Sequence, residues 1–484
     1  MPWILYSIII LIFVLVLIIA IRTSKFKPSE NTRISSYKES ADLIGPQKLA
    51  EAVRIPTISY IDDAKKDKNA FYQLHELLEK QFPLIHKNCE KTIINKFSLV
   101  YCLKANNPKP EKKPVLITAH MDVVPVEEGT ESDWREPPFS GNISDGMVWG
   151  RGTLDIKIHL IAAMEAMERL LEKGVSPSRD IYLAFGHDEE LTGEQGALKI
   201  AEYFKDKGLE FDFVLDEGGL VVKNVIEGID EPIAMVGVGE KGFANILLSV
   251  SMDGGHASMP ARHTSLGILA KALCRLESHP FKPRLISCTK DFLMRIGPNM
   301  KGMNRVVLAN LWLFKPLFLM IFSKTNTGSA LLRTTMAVTM AQGSPAPNVV
   351  PQKSQACVNS RILPGQDGRT LLNHMKKILK GLPVEIEPLV LDDPSSLSPS
   401  DCDAYRFIES LIGEFCGNVI TVPYLVMAST DARKYEPVCK NIYRFTPYII
   451  DDEDVAKIHG TNENISIENV NRCIDFFTAL MERL

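Results

Sequence analysis

Hydrophobic and polar positions divide the chain into four kinds of stretch. The first is apolar. Residues 3–21 carry no charge, and 8–21 contain only aliphatic residues and Phe. At ~1.5 Å per residue, this run is just long enough to cross a ~30 Å hydrocarbon core. No Lys or Arg precedes it, whereas Arg22, Lys25 and Lys27 follow. A cleaved signal peptide has a basic start, a shorter apolar run and a small-residue cleavage site. The pattern therefore favours a retained transmembrane anchor over 1–22. Residues 23–40, rich in Ser, Lys, Arg and Glu, read as a linker.

From 41 onward, short apolar runs alternate with helical periodicity. Runs at 115–119, 181–185 and 213–215 read as buried strands. Residues 156–173, closed by Gly174, and 196–207 read as helices. This alternation predicts an α/β domain whose sheet is covered on both faces. Near 238 the order changes to strand, helix, strand, strand, helix, strand, over 243–252, 265–278, 334–340, 355–362, 371–380 and 384–389. That is the order of a ferredoxin-like split unit. The expected layout is a catalytic α/β domain over 41–237 and 395–484, with an α+β domain inserted over 238–394. A further insertion, 291–332, contains "LWLFKPLFLMIF" at 311–322. It is too short to span a membrane. It reads either as a helix buried against the inserted domain, or as an apolar wall that holds a greasy ligand or touches a bilayer.

Charge adds little to this picture. Charged residues make up 24% of the chain and the formal balance is −4, which leaves no nucleic-acid footprint. The nine cysteines are spread out with no C-x-x-C pair, so neither a disulfide framework nor a zinc-finger pattern is present. N-x-S triplets occur at Asn142 and Asn464.

The candidate chemistry lies at strand ends. "ITAHMDVVPV" puts His120 and Asp122 just past a strand, two residues apart and so on one side of the chain. "GRGTLDIK" places Asp155 at a helix start. "HDEEL" sets Asp188, Glu189 and Glu190 side by side, "VLDEGG" supplies Asp216, and "KIHGTNENIS" supplies His459. In open α/β sheets the functional crevice lies at the carboxyl ends of strands. Three adjacent acids in a buried crevice need a positive partner. His with carboxylates is a ligand set that suits zinc.

The ordered motifs H-x-D-V-V-P, G-R-G-x-x-D-x-K, D-E-E, D-E-G-G, G-G-H-A-S-x-P and a late His resemble the co-catalytic zinc peptidase family of aminoacylase, carboxypeptidase G and carboxypeptidase S. "ANLWLFKPL", "NSRILPGQ" and "IYRFTP" bring the resemblance closest to the branch of carboxypeptidase S and the N-fatty-acyl-amino-acid synthase/hydrolase. The resemblance implies two zinc ions, one held by His120, Asp155 and Asp216, the other by Asp155, Glu190 and His459, with Asp155 bridging. It implies that Asp122 orients His120 and that Glu189 is the general base. Adjacent side chains at a strand end diverge, so one acid can face the metals and its neighbour the water. Asp188 reads as a solvated or loop-capping acid.

In the inserted domain, the resemblance implies that His256 stabilises an oxyanion in the active site of a partner subunit, within a homodimer formed through this lid. It also implies that Asn348 and Arg361 bind a substrate carboxylate; Arg361 pairing with a lid acid is the alternative. Two departures stand out. Ile158 and His159 follow Lys157 where small residues are usual, and His159 reads as a surface or packing residue. Met427, Ala428 and Ser429 replace a Gly-rich loop that lines the substrate pocket.

The expected function is zinc-dependent hydrolysis, and reverse formation, of the amide of an N-acyl amino acid, with a fatty acyl group favoured. The alternatives are a carboxypeptidase acting on short peptides and an inactive tethered binding protein. The basic residues after the anchor place the catalytic domain in the cytoplasm by the positive-inside rule, whereas the resemblance implies a lumen or the cell exterior.

Overall fold

The computed structural model describes residues 2–28, 37–38, 41–107 and 111–484. Positions 29–36 and 39–40 of the expected linker lie outside the described residues.

The first helix runs Pro2–Lys25, past the expected end of the anchor. Its residues Trp3–Lys25 are long and apolar enough to cross a membrane, a property that spans and signal sequences share.

The largest sheet has ten strands and mixed direction. At its centre, Ile181–Gly186, Val115–His120, Val214–Asp216 and Ile442–Arg444 lie side by side, all parallel. Every residue of Val115–His120 and Ile181–Gly186 is buried, which is why both read as unbroken apolar runs rather than alternating ones. Antiparallel strands Ser98–Leu103 and Glu90–Ile94 extend one edge.

Both faces are covered, as expected. On one face, Lys157–Glu172 packs against Ile467–Glu482, and the buried residues of these helices join the largest apolar core. On the other, Ala197–Asp206 closes a smaller core with Tyr182, Tyr435 and Ile442.

A second sheet of four antiparallel strands is ordered Thr335–Gln342, Lys353–Ile362, Gly242–Ser251, Glu385–Asp392. Ser265–Ser278 and Gly368–Ile378 cover one face of it through Leu269, Ala272, Leu371 and Met375. The second of these helices begins three residues before the expected start. Asp367 caps it by accepting the Thr370 N–H at 2.8 Å, a contact of about 1 kcal/mol.

The insertion differs most from expectation. It folds as several short helices, among them Ser287–Ile296, Gly302–Ala309, Leu311–Phe322 and Asn326–Leu332. Leu311–Phe322 is not buried against the four-stranded sheet; only Leu311 in it is buried. Leu311 packs with Ile229, Ile233, Leu293, Ile296, Leu308 and Val422, none of which belongs to the residues at the strand ends.

Candidate active site

Three of the four central parallel strands lead into one crevice. His120 ends Val115–His120, Asp216 ends Val214–Asp216, and the acids 188–190 follow Ile181–Gly186. Asp155 comes from the turn that precedes Lys157–Glu172, and its peptide bond to Ile156 is cis.

Asp155 sits between two histidines. Its Oδ1 is 3.1 Å from His120 Nε2 and its Oδ2 is 2.9 Å from His459 Nε2. Glu190 Oε2 lies 3.3 Å from His459 Nε2, and Glu189 Oε2 lies 3.9 Å from His120 Nε2. His120, Asp155 and Glu190 each offer a ligand atom, all within 4.8 Å of one another.

Asp122 is fully buried and has two tasks. His120 Nδ1 lies 2.9 Å from its carbonyl oxygen and 3.5 Å from its carboxylate. That carboxylate also accepts the N–H of Glu189 and of Glu190, each at 3.2 Å, and the Ser59 hydroxyl at 2.7 Å. One side chain thus orients the histidine and fixes the backbone of the acidic loop. Asp188 caps the same loop by accepting the N–H of Gln195 and Gly196, both at 2.7 Å. It is a loop-capping acid, and buried rather than solvated.

The residues fit a bound cation. Glu190 Oε1 and Asp216 Oδ2 are buried with no hydrogen-bond partner. Burial pushes the Asp216 carboxyl up to about 7. Burial, with repulsion from Glu217 and Asp431, raises Glu189 well above the usual range. The histidines show the complement. Bonds to Asp155 and Glu190 raise His459 to about 10. For His120, burial lowers the pKa, but bonds to Asp122 and Asp155 outweigh it and raise it well above normal. All of these shifts favour the protonated form, which adds positive charge to a site crowded with acids. A metal ion supplies that positive charge in place of the protons and needs both imidazoles neutral.

Several contributors were invisible in the sequence. Glu463 is fully buried and binds Arg151 at 2.7 Å. It also accepts the N–H of Gly152 at 3.0 Å and of Leu154 at 2.7 Å, in the turn that carries Asp155. Arg151 in turn donates to the carbonyl of His459 at 3.1 Å. This pair sets Asp155 and His459 in register. Replacing Glu463 with Ala leaves a buried guanidinium unpaired, and we expect a stability loss of about 3–5 kcal/mol, measured by denaturant unfolding. Glu217 and Asp431 add further acids beside the cluster. "VLDEGG" puts Glu217 beside Asp216 after the third strand, whereas nothing in the sequence marks Asp431, which opens the turn Asp431–Tyr435.

His159 is buried, bonds Thr446 Oγ1 at 2.9 Å and lies 4.7 Å from the Phe477 ring, so it packs. Lys157 is likewise buried, donating to the carbonyls of Ala52 at 2.9 Å and Ile55 at 2.6 Å.

The residues of the four-stranded region stand apart. His256 is exposed and bonds Ser258 Oγ at 2.7 Å. It lines a cavity of about 590 Å³ with Asn348, and none of the strand-end residues lines that cavity. Arg361 stacks over the Phe243 ring at 4.7 Å and reaches the carbonyl of Met427 at 3.4 Å, beside the loop that departs from the Gly-rich pattern. No acid pairs with Arg361 among the described residues.

Comparison with known proteins agrees with this geometry. The model of peptidase family M20/M25/M40 matches residues 116–483. A probable carboxypeptidase S-like 2 of Dictyostelium discoideum is 36% identical over 454 residues, covering 93% of this chain and 86% of that protein. The N-fatty-acyl-amino acid synthase/hydrolase PM20D1 of Mus musculus is 34% identical, covering 93% of this chain and 89% of that one. Among solved structures, the M20 family metallo-carboxypeptidase Sso-CP2 from Sulfolobus solfataricus shares the fold, with TM-score 0.65 and 19% identity over 90% of this chain and 98% of that one. The strand-end cluster and these matches lead to one assignment: the chain is an enzyme belonging to peptidase family M20/M25/M40.

Proposed function

We propose that the chain hydrolyses, and in reverse forms, the amide of N-fatty-acyl amino acids, using two zinc ions. The observation that carries the reading is Asp155 placed between His120 and His459, with Glu189 at the edge of the same cluster. His120, Asp155 and Asp216 would hold one ion; Asp155, Glu190 and His459 would hold the other. When bound, such a pair acidifies water and polarises a carbonyl.

The chain's own residues do the rest. Glu189 takes a proton from the attacking water and passes it to the leaving amine, so that water and amide become carboxylic acid and amine. Its raised affinity for protons, caused by burial among acids, suits the second transfer. Asp122 holds Glu189 in place through the loop backbone. Asn348 and Arg361 would grip the substrate carboxylate, Arg361 with its planar fork. His256 would donate to the tetrahedral oxyanion in a partner subunit of a homodimer formed through the four-stranded region. Its exposure, and its place in a cavity that none of the strand-end residues lines, support that role. The helix Pro2–Lys25 would be a single-pass anchor.

The fatty acyl preference rests on the relatives named for that activity. The carboxypeptidase S-like relatives favour release of a C-terminal amino acid from short peptides as the second reading. A panel spanning N-oleoyl-phenylalanine and simple dipeptides, with and without chelator, separates them. We expect turnover of the oleoyl substrate, abolished by chelator and restored by zinc. Turnover confined to dipeptides would assign the second reading.

A further inference from the structure

The helix Leu311–Phe322 packs on one side, through Leu311 and Phe318, and exposes half of its residues. Trp312, Leu317, Met320 and Ile321 are 44–57% exposed, although they form one of the most apolar stretches in the chain. A patch of large apolar side chains on a soluble face marks a surface that something covers.

Its neighbour identifies what covers it. Asn310, which immediately precedes the helix, is buried and donates to Thr23 Oγ1 at 3.1 Å and to the Ile19 carbonyl at 3.5 Å. Arg22 Nε donates to the Ala309 carbonyl at 3.4 Å, and Arg305 to the Phe26 carbonyl at 2.7 Å. The helix Leu311–Phe322 therefore starts beside the last turn of the N-terminal helix. Ile19 lies three residues before Arg22, the first charge after the apolar run. At 1.5 Å per residue that is about 4.5 Å towards the hydrocarbon side. If the N-terminal helix spans, Leu311 begins at the depth of the headgroup boundary.

Charge agrees. Residues 292–333 contain no Asp or Glu; of their six cations, Arg295 pairs with Glu409 and Lys301 lies 3.5 Å from Asp230, whereas no acid pairs with Arg305, Lys315, Lys324 or Arg333 among the described residues. Lys315 and Lys324 flank the apolar face and can extend to phosphates while their stems lie along lipid. A helix of 12 residues is about 18 Å long, too short to cross but long enough to lie in the interface. Trp312, near its start, is a residue type enriched at that level.

We propose that Leu311–Phe322 is a second membrane contact, lying in the plane of an anionic bilayer beside the N-terminal span. The proposal rests on the anchor reading for its geometry, but it concerns a different segment. The enzyme is then held at two points. This fixes the orientation of the catalytic body against the surface where fatty-acyl amphiphiles collect.

The test uses the full chain in vesicles of phosphatidylcholine with phosphatidylserine. A lipid-phase diazirine is photolysed there, and labelled peptides are mapped. We expect label in 311–322 at least about tenfold above that in the soluble helix 197–206, and loss of that excess in Leu317→Asp with Ile321→Asp. The Leu317→Phe with Ile321→Phe pair should retain it. Both positions are exposed, so turnover of a water-soluble short-acyl substrate should be unchanged and reports folding. Label below that threshold overturns the proposal, and crosslinking of two chains through 311–322 would show a second copy as the occupant. The peptide 3–21 reports separately: its absence, or its lack of label, sinks the anchor reading, whereas label in 3–21 alone sinks only the second contact.

Discussion

Glu189→Gln should abolish turnover while leaving bound metal unchanged. The amide keeps the size of the side chain and its place beside His120, where the carboxylate now lies 3.9 Å from Nε2. What it loses is the ability to take and return a proton. Positioned acid–base groups contribute about 10²–10⁴-fold, and in the proposed reaction one group serves both transfers, so the upper end is expected. In steady-state kinetics kcat falls and KM stays near the wild-type value, because Glu189 grips no part of the substrate. Elemental analysis should give the same zinc content as the parent. A variant that lost metal as well would make Glu189 a ligand and move the base elsewhere.

Asp155→Ala should have a different signature. Among the described residues, Asp155 is the one acid in contact with both His120 and His459. Removing it takes a donor from both proposed ion sites at once, whereas Asp216→Ala takes one from a single site. We expect Asp155→Ala to retain neither ion under dialysis and to lose at least about a thousandfold in kcat/KM, some 4 kcal/mol of transition-state stabilisation. Asp216→Ala should retain about one ion per chain. Equal metal content in the two variants would refute the bridging role.

The sequence shows the strand ends well because the central strands are buried on both faces. Such strands appear as short apolar runs, and the polar residues that interrupt them mark the crevice. That is why His120 and Asp216, which end two such strands, and Glu190, just past a third, stand out in the sequence, whereas Asp155 and His459 lie in turns and are reached through the family motifs. The Arg151–Glu463 pair could not. Glu463 stands in the polar string "TNENIS", where nothing distinguishes a fully buried carboxylate from a solvated one. Its partner is 312 residues away. Asp122 was legible as an orienting acid, but its bonds to the backbone of Glu189 and Glu190 depend on how two loops meet. The apolar insertion shows a third limit. Composition says that Leu311–Phe322 needs cover, but its neighbours alone decide whether that cover is protein or lipid.

The clamp made by Glu463 also bears on how the enzyme comes into being. Chains leave the ribosome from the amino end, so His120, Asp155, Glu190 and Asp216 emerge long before the segment that carries His459 and Glu463. Until that segment arrives, the N–H groups of Gly152, Leu154 and Asp155 lack the Glu463 carboxylate that accepts them, and one imidazole is missing. Before residues 459–463 fold onto it, the proposed site has its acids and His120 but lacks His459. The proposed site is thus closed by a contact between segments 312 residues apart, the Arg151–Glu463 pair, neither member of which is among its metal-binding candidates.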